Sequence, residues 1–265
     1  MMLPLTRFVR AGGHQLECLL YPAHQENRPA LVFLHEGLGS VAMWRDFPAR
    51  VAHATGCQTL VYSRYGYGQS DPLTAPRETG YMHREAEQTL PELLAALELD
   101  RPVLIGHSDG ASIALIHAGS AGCGLCRPVA GVIALAPHVF VEDISIRSIE
   151  AAKVTYTTSD MAQKLARYHR DAESTFWGWN DIWLSPEFRA WNIETYLPRI
   201  TCPLLAIQGV DDEYGTTRQL DAIVAATGDA DLLLLADCRH SAHKDQPEAV
   251  LKAILEFLDA LPAAT

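Results

Sequence analysis

The sequence predicts an α/β protein: a mostly parallel, eight-stranded sheet flanked by helices, with a helical insertion laid across it. Three observations carry this. Six short apolar runs recur along the chain, separated by segments of helical period. A leading stretch, "RAGGHQLECLLY", reads as a hairpin turning at Gly12-Gly13, which adds two strands ahead of the six. The alternation then stops between about residues 138 and 200, where no buried strand is legible.

The six runs are "ALVFLH" (30–35), "TLVYS" (59–63), "PVLIGH" (102–107), "VAGVIALA" (129–136), "PLLAIQG" (203–209) and "DLLLLAD" (231–237). They are continuous rather than alternating, as in strands covered on both faces. Residues 83–98 put Ala86, Leu90, Leu93, Leu94 and Leu97 on one stripe, with Pro91 expected to kink or restart the helix. The small apolar stretch 109–118 reads as a helix. After Pro247, apolar residues from Val250 to Leu261 recur at helical spacing. The interruption carries polar helical segments (145–157, 160–169) and the cluster "FWGWNDIWLSPEFRAWN", with four of the five tryptophans. The expected division is a core of residues 1–137 and 201–265 and a helical cap of 138–200.

With 265 residues, the chain is near the upper limit for one hydrophobic core. A composition of 48% hydrophobic and 20% charged residues is that of a globular protein. A net charge of -11 disfavours nucleic acid and anionic membrane surfaces, whose phosphates would be repelled. No apolar stretch is long enough to span a bilayer and no secretory signal is legible, so a cytoplasmic location is expected. The six cysteines then read as reduced thiols. "CGLC" (123–126) lacks the second ligand pair a zinc site needs, and no metal is expected. The expected partner is a small-molecule substrate, and a homodimer remains open.

The chemistry is carried by "VLIGHSDGAS" (103–112). Gly106 and Gly110 flank Ser108 where an apolar run meets a helical one, the context in which a strained turn presents a nucleophilic serine. A serine hydroxyl needs a base to take its proton, and the base needs an acid to fix its tautomer. "QGVDDEY" and "DCRHSAH" each follow a strand, in the order serine, acid, histidine. Ser108, Asp212 and His240 are the expected triad, with Asp211 and His243 as the alternatives. An oxyanion hole needs backbone N–H donors, each worth roughly 10²–10³ in rate. Asp109 should give one, and Gly37 in "HEGLGS" the other, with Glu36 second; His35 should brace that loop.

These segments, with "SRYGYGQSDP", resemble the α/β-hydrolase superfamily over nearly the whole chain. "GHSDG", "RYGYGQS" and the length of the cap are most similar to the branch of biphenyl-hydrolase-like proteins, valacyclovir hydrolase, enol-lactonases and meta-cleavage-product hydrolases. The resemblance implies a cofactor-free serine hydrolase acting on an ester, thioester or lactone through an acyl-serine, and makes Arg64 a packing residue. It also leaves open C–C bond hydrolysis of a diketone, or a non-catalytic receptor on the same scaffold. Three positions depart from the pattern: Glu36 stands where glycine follows the histidine, Arg239 where glycine precedes the other histidine, and Ser63 where aspartate is frequent. The cap should set specificity, with Trp177, Trp179 and Trp183 (and Phe176) walling an apolar or aromatic acyl site, and His138 facing it. The carboxylates of Asp109 and Glu36 offer themselves to a substrate amine, or, for Asp109, to hydrogen bonds within the turn.

Overall fold

The computed structural model describes residues 4–262. Eight strands form one sheet: β1 (Leu5–Ala11), β2 (His14–Tyr21), β3 (Leu31–Leu34), β4 (Thr59–Tyr62), β5 (Val103–His107), β6 (Gly131–Leu135), β7 (Leu204–Gly209) and β8 (Asp231–Leu235). Their spatial order is β1-β2-β4-β3-β5-β6-β7-β8. The β1–β2 hairpin and the β2–β4 pair are antiparallel, and every other pair is parallel. The expected mostly parallel eight-stranded α/β fold is what the chain forms.

The helices are α1 (Phe47–Thr55), α2 (Tyr81–Arg84), α3 (Leu90–Ala96), α4 (Asp109–Gly122), α5 (Asp143–Thr158), α6 (Met161–Leu165), α7 (Ala172–Leu184), α8 (Arg218–Thr227), α9 (Ala242–Asp245) and α10 (Pro247–Ala260). Among the described residues no helix is long and apolar enough to cross a membrane.

The period of two along each strand divides the core into layers on either face of the sheet. Leu31, Phe33, Val61, Ile105, Ile133 and Ile207 pack on the side of α1 and α10. Val32, Leu34, Leu60, Leu104, Val132 and Ala206 pack on the side of α3 and α4. Each fully buried Leu, Ile, Val or Phe side chain contributes about 1.5–3 kcal/mol relative to exposure.

One local reading changes. The run "DLLLLAD" predicts a doubly covered strand, yet Leu232 and Leu234 are 43% and 48% exposed. β8 is the sheet's edge: Leu233 and Leu235 pack on the α10 side, while their neighbours face the other way without cover. Pro91 stands, as expected, where a helix restarts, in the first turn of α3. A π-turn over Glu85–Thr89 joins α2 to α3, widening the coil just ahead of the residue that has no N–H to give.

Between β6 and β7 the chain forms α5, α6, α7 and two 3-10 turns (Glu187–Ala190 and Glu194–Arg199). Asp171 caps α7 by accepting the Ser174 N–H at 3.0 Å, an arrangement worth about 1 kcal/mol. From α7, Trp179 and Trp183 reach the C-terminal edge of the sheet, where the candidate site lies.

Candidate active site

β5 delivers Ser108 at the point where the chain reverses into α4. The serine has φ 54 and ψ -119, a positive-φ conformation outside the left-handed helical well that costs a non-glycine residue roughly 1–3 kcal/mol. The turn is held by its neighbours: the Ser108 N–H donates to Leu135 O at 2.9 Å, and Ala111 and Ser112 N–H groups donate to Ser108 O. The flanking glycines serve close approach. A Cβ on Gly106 would lie 2.5 Å from the Ala111 nitrogen, and one on Gly110 would lie 2.5 Å from the Leu34 carbonyl carbon. Both obstacles are backbone, so nothing can swing aside. Gly110→Ala is therefore expected to destabilise the fold by at least about 2 kcal/mol, read from urea unfolding; a change within about 0.5 kcal/mol would refute this packing account.

Asp212 sits just past β7 and is nearly enclosed. Its Oδ1 receives His240 Nδ1 at 2.8 Å, Tyr214 N–H at 2.8 Å and Gly215 N–H at 3.3 Å, and its Oδ2 receives Gln208 Nε2 at 3.2 Å. Burial opposes its ionisation, but the His240 charge and these donors hold the carboxyl at about 2. An ionised Asp212 can only accept, so the Nδ1 proton stays on His240 and Nε2 keeps its lone pair. For His240 too, burial acts against the charged form. The carboxylates of Asp212, Glu213 and Glu36 outweigh it and raise the pKa above the ordinary imidazole value.

Of the two acids left open by the sequence, Asp212 meets the histidine and Asp211 is exposed. Of the two histidines, His240 meets the acid. His243 is buried beside Trp44, Phe47 and His107, with neither ring nitrogen hydrogen-bonded. The His240 ring lies 5.0 Å from the His107 ring and 5.8 Å from the His138 ring, between the residue preceding Ser108 and the end of β6. Among the described residues no hydrogen bond joins Ser108 Oγ to His240; such bonds are often long until substrate binds.

The loop after β3 is braced by His35, as expected, and by Arg64. Arg64 donates its backbone N–H to His35 Nε2 at 3.0 Å, so His35 carries its proton on Nδ1 and gives it to Glu36 O at 2.7 Å. The Arg64 guanidinium adds a second donor to that oxygen at 2.8 Å, and Gly39 N–H a third at 3.1 Å. A trans peptide points its N–H away from its carbonyl. Three donors on Glu36 O therefore turn the Gly37 N–H to the opposite side. Among the described residues, the N–H groups of Gly37 and Asp109 make no hydrogen bond. Arg64 does more than pack the turn, since it orients this peptide.

The remaining candidates separate. Trp179 packs its indole against Gly37, leaving no room for a side chain there. Trp183 meets the His138 ring edge-on at 5.2 Å and donates Nε1–H to Tyr81 Oη at 3.1 Å. Phe176 is buried, stacked on Tyr156. Trp177 is not brought to Ser108: it lines a groove of about 480 Å³ between Leu73–Arg77 and the outer side of α7, with Lys153 over its ring. His138 is buried, and that burial, with the His240 charge, pushes it down to about 4, so it is neutral at physiological pH. Among the described residues the Asp109 carboxylate makes no hydrogen bond within the turn: its Oδ2 takes the Tyr81 hydroxyl of α2 at 2.6 Å, with Arg64 at 3.8 Å. Glu36 turns towards His107 and Lys244. Ser108 and His240 are 7% and 9% exposed, buried rather than open to solvent.

A model of the alpha/beta hydrolase family matches residues 31–253. A proline iminopeptidase of Lactobacillus delbrueckii subsp. bulgaricus is 29% identical over 117 residues, which are 44% of this chain and 39% of that protein. The match thus spans less than half the length of that relative. The esterase YbfF of Escherichia coli (strain K12) is 26% identical over 203 residues, 70% of this chain and 78% of its own. Among solved structures, the enol-lactonase from Burkholderia xenovorans LB400 superposes with a TM-score of 0.72 at 19% identity, over 96% of this chain and all of that one.

Proposed function

This chain belongs to the alpha/beta hydrolase family, and on that premise we propose that it is a serine hydrolase cleaving a carboxylic ester, thioester or lactone. The observation that carries the reading is the Asp212–His240 hydrogen bond, which leaves His240 Nε2 unprotonated on the same sheet edge as the strained Ser108. His240 takes the Ser108 proton as the Oγ–carbonyl bond forms. The oxyanion is received by the N–H groups of Gly37 and Asp109, and His240 then protonates the departing alcohol or thiol. Water repeats the sequence against the acyl-serine. The reaction uses side chains and main-chain donors alone and calls for no cofactor.

The acyl group we assign is small to medium and apolar or aromatic, because the indoles of Trp179 and Trp183 pack against Gly37 and His138. An amine-bearing substrate is disfavoured, since Asp109 is fully buried and its Oδ2 already takes the Tyr81 hydroxyl, with Arg64 at 3.8 Å. Parallel assays of aliphatic and aryl esters, thioesters, lactones and aminoacyl amides test the assignment. Turnover of apolar acyl esters is expected; reaction with aminoacyl amides alone would reject it. Complete resistance of the chain to fluorophosphonates would reject the serine mechanism itself.

The pH dependence follows from the same pair. Because its folded pKa is raised, His240 loses its basic form at higher pH than a free imidazole does. The acid limb of kcat/KM is expected above about 6.5. A limb clearly below that value, with chemistry limiting, would contradict the carboxylate surroundings described for His240.

A further inference from the structure

We propose that Glu36 and His107 hold one proton between them, and that this pair is a positioning element fastening the loop after β3 to the loop that carries His240. The inference rests on the serine-hydrolase reading and concerns a residue, Glu36, at which this chain departs from the pattern it resembles.

His107 precedes Ser108, and its Nε2 lies 2.9 Å from the His240 carbonyl oxygen. That oxygen can only accept, so Nε2 carries a hydrogen. On a neutral ring Nδ1 would then be a bare lone pair. Nδ1 is buried with no other partner, and the atom facing it, at 3.5 Å, is Glu36 Oε2. Two lone-pair-bearing atoms facing each other out of water are mutually repulsive, and a single proton between them turns the contact into a hydrogen bond.

The other groups around the pair are accounted for. Lys244 Nζ is 3.7 Å from Glu36 Oε1. The His240 and His243 rings lie 5.0 and 4.9 Å from His107, and Trp44 closes the side at 6.2 Å. Burial opposes ionisation of Glu36, but His107 and Lys244 hold its carboxyl well below the usual range. Burial pulls His107 down, and Glu36 is the group acting against it.

One connection therefore joins three parts of the site: the peptide whose Gly37 N–H is aimed at the oxyanion, the residue next to the nucleophile, and the main chain of the base. When the proton leaves as the pH rises, the connection loosens. A carboxylate balanced by Lys244 alone then stands beside the position where negative charge must form.

The test measures the rate of Ser108 phosphonylation by a fluorophosphonate against pH in the wild type, Glu36→Gln and Glu36→Ala, with ¹⁵N spectra of the histidine rings. A glutamine amide donates to Nδ1 without an added proton. The wild type is expected to lose rate as the pH rises through an ionisation that Glu36→Gln lacks. Glu36→Ala is expected to be about tenfold or more slower, with Glu36→Gln restoring most of that loss. The spectra should show His107 Nδ1 hydrogen-bonded through a proton in the wild type at its pH of maximal rate. Superimposable pH profiles of wild type and Glu36→Gln, or a bare Nδ1 in the wild type, would overturn the proposal. If the wild type is not phosphonylated at all, the serine-hydrolase reading fails, and the spectra alone decide whether the pair holds its proton.

Discussion

Alanine at Ser108 is expected to lower ester turnover by about 10⁴–10⁶-fold and to abolish fluorophosphonate labelling, with little change in stability. The second half of that expectation comes from the hydrogen-bond pattern. The serine is held by its backbone, through Leu135 O and the N–H groups of Ala111 and Ser112, and its hydroxyl is not one of the groups holding the turn. Alanine keeps the Cβ and with it the strain of φ 54. Glycine removes both, so Ser108→Gly should be equally inactive yet more stable than Ser108→Ala by about 1 kcal/mol. Thermal unfolding of the two variants reads the stored strain. Full turnover in Ser108→Ala would remove the nucleophile assignment, whereas equal stability would remove only the strain.

Asp212→Ala should lower kcat by about 10⁴-fold, while Asp211→Ala, one residue earlier and solvent-exposed, should change it by less than about threefold. Alanine at 212 strips His240 of its Nδ1 acceptor and leaves Tyr214 N–H, Gly215 N–H and Gln208 Nε2 without the carboxylate they share. Imidazole orientation and charge stabilisation are lost together. The residual activity should also report the electrostatics: without the carboxylate, burial becomes the stronger influence on His240, and the acid limb moves to lower pH than in the wild type. Loss of activity in the Asp211 variant with retention in the Asp212 variant would reverse the assignment.

Much of the site's outline was legible because it depends on local chemistry. Gly106 and Gly110 around Ser108 announce a close backbone crossing, and the loops after β7 and β8 follow apolar runs that could only be strands. The tryptophans held a signal left unused. Trp179 and Trp183 are four residues apart and share one face of a helix, while Trp177 falls on the opposite face. Helical geometry alone would have set Trp177 apart. β8 misled for the converse reason: four successive leucines look the same whether one face is covered or both.

By itself, the sequence determined the succession of strands and helices, the sharp turn at Ser108 and the chain order of serine, acid and histidine. Each is set by side-chain periodicity or by sterics within a few residues. Only the tertiary structure decided which of two adjacent aspartates meets which of two nearby histidines, and that Arg64, Tyr81 and His107 hydrogen-bond to Glu36, Asp109 and His240. Hydrogen bonds made across the fold depend on the direction in which a side chain leaves its loop. That direction is fixed by packing among residues far apart in the chain, and no short window of sequence contains it.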